Sequence, residues 1–324
     1  MHRRRFLKVA GAATVTAGFV NRVSAQAANW PDKPVKLILP YAPGGSTDLI
    51  GRPWAEKLSQ AFGQQFIVDN RGGASGMIGT EAVAKSAPDG YTFLVTPNNT
   101  LTILPSLRKT PYDPIKSFTP VARLGDLVCG FVIHPSAGPK TFKELIEHAK
   151  KNPGKLSYGS AGLGTATQLR LEMLKFKAGL DILHVPYKGS GEALNDLLPG
   201  TVQLMNEINC NPHVKAGKLI MLNINHADRD PDFPDLPTLT ELGYPNADVP
   251  IWNSMHAPAG TPVEIITKLN ARIVEIAKTD EMKARLRSIN AAVVAQSPAQ
   301  IAAYMAEDMQ RNAELIKAAN IKLE

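Results

Sequence analysis

Only two cysteines, Cys129 and Cys210, occur in 324 residues, with no C-x-x-C pair and no Cys/His cluster at zinc spacing. That scarcity excludes a disulfide-built scaffold and a structural zinc site. In an oxidising compartment the two thiols could pair, but spacing alone does not bring them together. Aromatic residues are few and none is interleaved with a basic patch, so a nucleic-acid surface has no support. No apolar run reaches the roughly 20 residues that span a bilayer. The pattern G-x-x-x-x-G-K-[ST] is absent, as is a G-x-S-x-G elbow, which argues against nucleotide binding and serine hydrolysis. His134, His148, His184, His213, His226 and His256 are scattered over different segments and read as structural rather than catalytic. No cofactor or metal is expected.

What is present begins with an address. Arg3-Arg4-Arg5-Phe6-Leu7-Lys8 fits the twin-arginine pattern, and a short, weakly apolar run over 9–20 leads to small-residue cleavage sites near Ala25 and Ala27. Residues 1–27 read as an export signal, which places the mature protein in the periplasm. They hold five of the 36 basic residues and none of the 29 acidic ones, so the rest of the chain is close to neutral. About 300 remaining residues exceed one ordinary core and predict two lobes.

Short β-rich runs alternate with helical patterns. Strands are expected over 35–39, 66–68 and 91–95, with helices over 47–61 and 78–85. The same order returns later, with strands over 128–133, 156–159, 183–185, 202–205 and 219–224. Helices fall between them over 141–150, 165–178 and 191–198. This order predicts an α/β fold of mostly parallel sheets covered by helices. Thr141-x-x-Glu144, Thr261-Pro262-x-Glu264 and Ser297-Pro298-x-Gln300 mark helix starts. Pro53 inside the first helix should kink it or shift its start.

Two loops share one physical design. Pro40-Tyr41-Ala42-Pro43-Gly44-Gly45-Ser46-Thr47-Asp48 joins a strand to a helix N-terminus. Tyr158-Gly159-Ser160-Ala161-Gly162-Leu163-Gly164-Thr165 does the same in the second half. Glycines let backbone N–H groups approach a ligand, and the first helical turn carries free donors and a positive dipole end. Each loop is a candidate anion cradle at the carboxyl end of a strand.

Five segments together resemble the substrate receptors of tripartite tricarboxylate transporters, the Bug-type periplasmic binding proteins. They are Tyr41–Asp48, Asp69–Gly79 (DNRGGASGMIG), Asp89-Gly90-Tyr91, His184–Gly189 with Asp196-Leu197-Leu198, and Ala257–Pro262. The resemblance implies the type II periplasmic-binding-protein fold, two α/β lobes around a ligand cleft. Lobe 1 would comprise residues 28–126 plus 250–324, and lobe 2 residues 127–249. It implies capture of a small organic carboxylate and delivery to membrane permease subunits by a monomer, without turnover. Backbone groups at Gly44, Gly45 and Ser46 on one jaw, and at Ser160, Ala161, Gly164 and Thr165 on the other, would hold the carboxylate, with Tyr41 beside the first jaw.

Further candidates carry two readings each. Asp48 either compensates a helix dipole or meets a ligand ammonium or hydroxyl. Gln168 either caps its helix or reaches the ligand. Thr96 and Asn98 either line the cleft or cap the chain. Glu207 is a loop acid or a cleft acid. A sensor role and an exported hydrolase are the competing functions.

Overall fold

β-branched and aliphatic residues over Val35–Leu39 (β1) form an inner strand, only its second residue facing outward. The computed structural model describes residues 29–322; the export signal expected over residues 1–27 lies outside the described residues. From β1 the chain runs through α1 (Ser46–Phe62), β2 (Phe66–Asn70), α2 (Met77–Ala84) and β3 (Thr92–Pro97). β1 pairs in parallel with both β2 and β3, as the β-α-β-α-β order demands. A π-helical turn, Asn99–Ile103, and a short helix α3 (Leu104–Leu107) precede the long strand β4 (Phe118–Leu127).

The second sheet is built from β5 (Val132–Ile133), β6 (Ser157–Ser160), β7 (Leu183–Pro186), β8 (Leu204–Met205) and β9 (Ile220–Met221). Helices α4 (Phe142–Lys151), α5 (Ala166–Ala178), α6 (Ser190–Leu197) and α7 (Asn211–Lys215) intervene. The chain then returns as β10 (Trp252–Pro258), α8 (Val263–Lys278), α9 (Asp280–Arg287), β11 (Ala291–Ala292) and α10 (Pro298–Ala318). Strand order is β11-β4-β10-β3-β1-β2 in the first sheet and β7-β6-β8-β5-β9 in the second. The chain is thus an α/β protein of two lobes.

Each sheet is mixed rather than mostly parallel. β10 runs antiparallel to both β3 and β4, and β5 antiparallel to β8 and β9. The reason is the path of the chain: β4 leaves the first sheet and β10 re-enters it, so the returning strand runs against its neighbours.

Local signals hold where a side chain reaches its own helix. Thr141 and Ser297 cap α4 and α10, the latter in a full capping box. Thr261 does not cap: its hydroxyl donates to Pro258 O, and α8 starts at Val263 behind Pro262. Pro53 leaves the start of α1 at Ser46, and the helix continues through it to Phe62. Ile265, Leu269, Ile273 and Ile276 form the buried face of α8.

Arg170, wholly buried on α5, fastens the crossing segments. It donates to Val249 O (2.6 Å) and Asn225 O (3.4 Å) and contacts Cys129 Sγ at 2.9 Å. Cys129 and Cys210 are both buried and free.

Candidate ligand-binding site

Beyond β1, Gly44 takes a left-handed φ of 79° that an L side chain would strain, and Gly45 stands as the N-cap of α1. Neither supplies a capping side chain, so the first turn recruits one from within. Asp48 Oδ2 accepts from Gly44 N (3.1 Å) and from Arg52 Nε (2.8 Å), and Oδ1 accepts from Asn70 Nδ2 (3.1 Å). Burial alone would push the Asp48 pKa up; the Arg52 bond and charge, the Gly44 N–H and Asn70 outweigh it and hold the carboxyl below its ordinary range. Asp48 compensates the helix dipole and turns away from the cleft.

The second tip is wired without charge. Thr165 caps α5 by accepting from Gln168 N (3.4 Å), and Gln168 Oε1 accepts from Gly164 N (2.6 Å). Gln168 Nε2 lies 3.3 Å from His184 Nδ1, and His184 Nε2 lies 2.6 Å from Ser160 Oγ. One proton assignment satisfies all of these: Gln168 donates to Nδ1, and Nε2–H donates to Ser160. Burial pushes the His184 pKa down to about 4, so the ring is neutral at pH 7. Ser160 is fully buried, and its Oγ also bonds Gly162 O and accepts from Gly162 N. Here histidine donates to serine, the reverse of a nucleophile–base pair.

Between the tips lies a cavity of about 20 Å³, room for about one ordered water. The lobes are closed on it, with Ser46 N on the first tip donating to Ser190 Oγ of α6 on the second lobe at 3.3 Å. Larger hollows exist, such as one of about 520 Å³ behind the crossing segments. Two long helix N-termini converge on the small cavity. Glu207, 3% exposed, lines the same cavity, and its Oε2 has no hydrogen-bond partner. Burial raises its pKa to about 7, against the opposing pull of the Ser46 hydroxyl, the Arg170 charge and the Ile208 N–H.

Of the residues singled out in the sequence, Tyr41, Gly45, Ser46, Ala161, Thr165 and Glu207 line the cavity. Tyr41 is locked there, its hydroxyl donating to Ser75 O (2.8 Å) and accepting from Asn99 Nδ2 (2.7 Å). Gly44, Asp48, Ser160, Gly164 and Gln168 stand behind the tips and brace them, as their hydrogen bonds show. Thr96 is turned inward onto Pro97 O (3.1 Å) and Thr100 Oγ1 (2.8 Å). Asn98 points to the opposite side, donating to Pro250 O (3.2 Å) and Asp308 Oδ2 (3.0 Å). Its neighbour Asn99 takes the cavity position, because the π-helical turn begins there. Sequence reasoning also passed over Thr47, Pro97, Ala166, Thr167, Ser190 and Ile251, which complete the lining. Ser190 carried a signal, a serine between two glycines at a helix start.

Comparison with known proteins agrees with this geometry. Residues 50–321 match the family model described as the tripartite tricarboxylate transporter family receptor. Protein BugT of Bordetella pertussis is 36% identical over 330 residues, covering 100% of both chains. Among solved structures, the periplasmic binding protein BugD superposes with a TM-score of 0.86 at 35% identity, over 91% of this chain and 100% of that one. R. palustris Rpa4515 with adipate gives a TM-score of 0.88 at 34% identity, over 90% of this chain and 99% of that one. With both lobes, the paired helix tips and these full-length likenesses in agreement, the chain belongs to the tripartite tricarboxylate transporter receptor family of periplasmic solute-binding proteins.

Proposed function

We propose that this protein captures a small organic carboxylate in the periplasm and delivers it to the membrane permease of a tripartite tricarboxylate transporter. The observation that carries this reading is the meeting of two helix N-termini, one from each lobe, at a single cavity. Main-chain N–H groups and dipole ends of that kind favour an anion. The adipate complex of Rpa4515 supports a carboxylate as the anion.

A cavity of about 20 Å³ does not hold a dicarboxylate. The ligand therefore enters with the lobes apart and closes them by bonding both tips, which only the closed form permits. Hydrogen bonds to a charged group contribute about 1.5–3 kcal/mol each, so three or four reach the roughly −8 kcal/mol of micromolar binding after ordering costs. Residues 28–126 with 250–324, and residues 127–249, are the two bodies we assign to this motion. The protein acts as a monomer and without turnover, after export by the twin-arginine route. An exported hydrolase is disfavoured by the buried Ser160, whose histidine partner faces it as a donor.

The direct test is a thermal-shift screen of the purified protein against small carboxylic acids and their amides. A ligand at 100 times its dissociation constant adds about 2.7 kcal/mol of stability. A shift with an acid and none with its amide is expected; equal shifts with both, or none with any acid, sink the reading.

A further inference from the structure

Glu207 is the feature that a simple anion cradle does not need. A buried carboxyl on the wall of a carboxylate site repels the ligand unless something between them carries positive charge or a proton. Its position makes the requirement local. Ser46, at the start of the first helix tip, lines the same small cavity as Glu207. An anion seated on that tip therefore lies within a few bonds of Glu207. Oε2 is buried, unpartnered and on the cavity wall. Behind Glu207, the wholly buried Arg170 bonds main-chain oxygens and a thiol, and among the described residues no carboxylate bonds it directly. Its charge offsets that of Glu207 across the protein.

We infer that Glu207 selects for a carboxylate that also carries an ammonium group one or two bonds from the carboxyl, an amino acid rather than a bare or hydroxylated acid. The inference rests on the carboxylate reading above and names the ligand class of that same site. The ligand carboxylate takes the helix tips, and its ammonium donates to Oε2, an acceptor on the cavity wall that the protein leaves unpartnered. Burial holds the empty carboxyl partly protonated near pH 7, and a cation at Oε2 draws it back to the ionised form. A hydroxyl would satisfy Oε2 as a donor but leave two negative charges facing each other.

The test compares matched skeletons by calorimetric titration of the purified protein. The probes are aspartate, malate and succinate, then glutamate, 2-hydroxyglutarate and glutarate, then 2-aminoadipate, 2-hydroxyadipate and adipate. In the series that binds, the amino member should bind roughly tenfold or more tightly than its hydroxy and unsubstituted partners, as a charge-assisted bond outweighs a neutral one. Glu207→Gln, which keeps shape and removes charge, should bring the three members to within about threefold of one another. Glu207→Asp should keep the order of preference.

Equal or stronger binding of the hydroxy or unsubstituted member by the unaltered protein overturns the inference while leaving carboxylate capture intact. So does an amino preference that survives Glu207→Gln. Failure of every acid to bind removes carboxylate capture itself and the inference with it. Because the first comparison needs no variant, a misfolded Glu207→Gln protein does not rescue the idea.

Discussion

The two helix tips that face the cavity are built alike and wired differently. The first carries an acid in its opening turn, and Asp48 takes up the Gly44 N–H, Arg52 and Asn70. The second has no acid in its first turn and is held by Thr165, Gln168 and a neutral His184. A carboxylate at a helix N-terminus compensates the dipole there. The first tip therefore meets the ligand with its positive end partly neutralised, and the second meets it with the full dipole. In this arrangement the second tip offers an anion the stronger dipole attraction.

The largest effect should separate the two loops at their glycines. A Cβ at Gly164, where φ is 71°, would come 2.4 Å from Leu104 Cδ2, a wholly buried side chain on the opposite lobe. At Gly44, with φ of 79°, nothing lies within 4 Å. Gly164→Ala adds overpacking across the cleft to backbone strain and should cost roughly hundredfold in affinity for the acid found in the screen. Gly44→Ala should cost about tenfold or less. Equal losses by titration would show that the lobes do not close as described.

Next comes the acid between the tips. The Glu207 pKa is raised from 4.5 to about 7. For a carboxyl raised on folding, the native state holds more protons between those values. Stability is then full below pH 4.5 and declines as pH rises through 7, by about 3 kcal/mol. Glu207→Gln should lack that decline. His184 and His256, pushed down by burial to about 4 and about 3, act in the opposite sense, losing stability as pH falls below about 6.5. They cancel in the difference between the unaltered and variant proteins. Parallel urea-melt profiles from pH 4.5 to 8 would refute the burial of a charge there.

Making the second tip resemble the first is a finer probe. Gln168→Glu places an acid three residues into α5 beside Gly164 N, and should lower carboxylate affinity roughly five- to tenfold through the lost dipole attraction. The smallest effect on binding belongs to Asp48→Asn. It should cost about 1–2 kcal/mol of stability in denaturant titration, from the broken Arg52 pair, and leave affinity within about threefold. A tenfold loss of affinity there would return Asp48 to the ligand.

Much of this site was legible because its cues are local. Glycine at a left-handed φ, a threonine or serine before a helix, and an apolar stripe on α8 each act within a few residues. The strands β4 and β10 were not anticipated, although β10 lies in the middle of the first sheet. Phe118–Leu127 contains Pro120, Arg123 and Gly125, and Trp252–Pro258 contains Asn253, Ser254 and His256. Neither alternates cleanly, because both faces are covered and Asn253, Ser254 and His256 are themselves buried. Asn98 and Asn99 were indistinguishable for a similar reason. A π-helical turn decides which of two identical side chains faces the cavity.

By itself the sequence determined the β-α-β-α-β order of the first five elements, the two glycine-lined helix starts and the Thr165 cap. Each of these depends on backbone preferences and on partners close along the chain. Only the tertiary structure decided that Ser190 meets Ser46 from 144 residues away, that Asp48 turns aside, and that Glu207 faces the cavity without a partner. Those outcomes depend on which surfaces come together when two lobes close, and burial and charge pairing across that gap have no counterpart in local sequence.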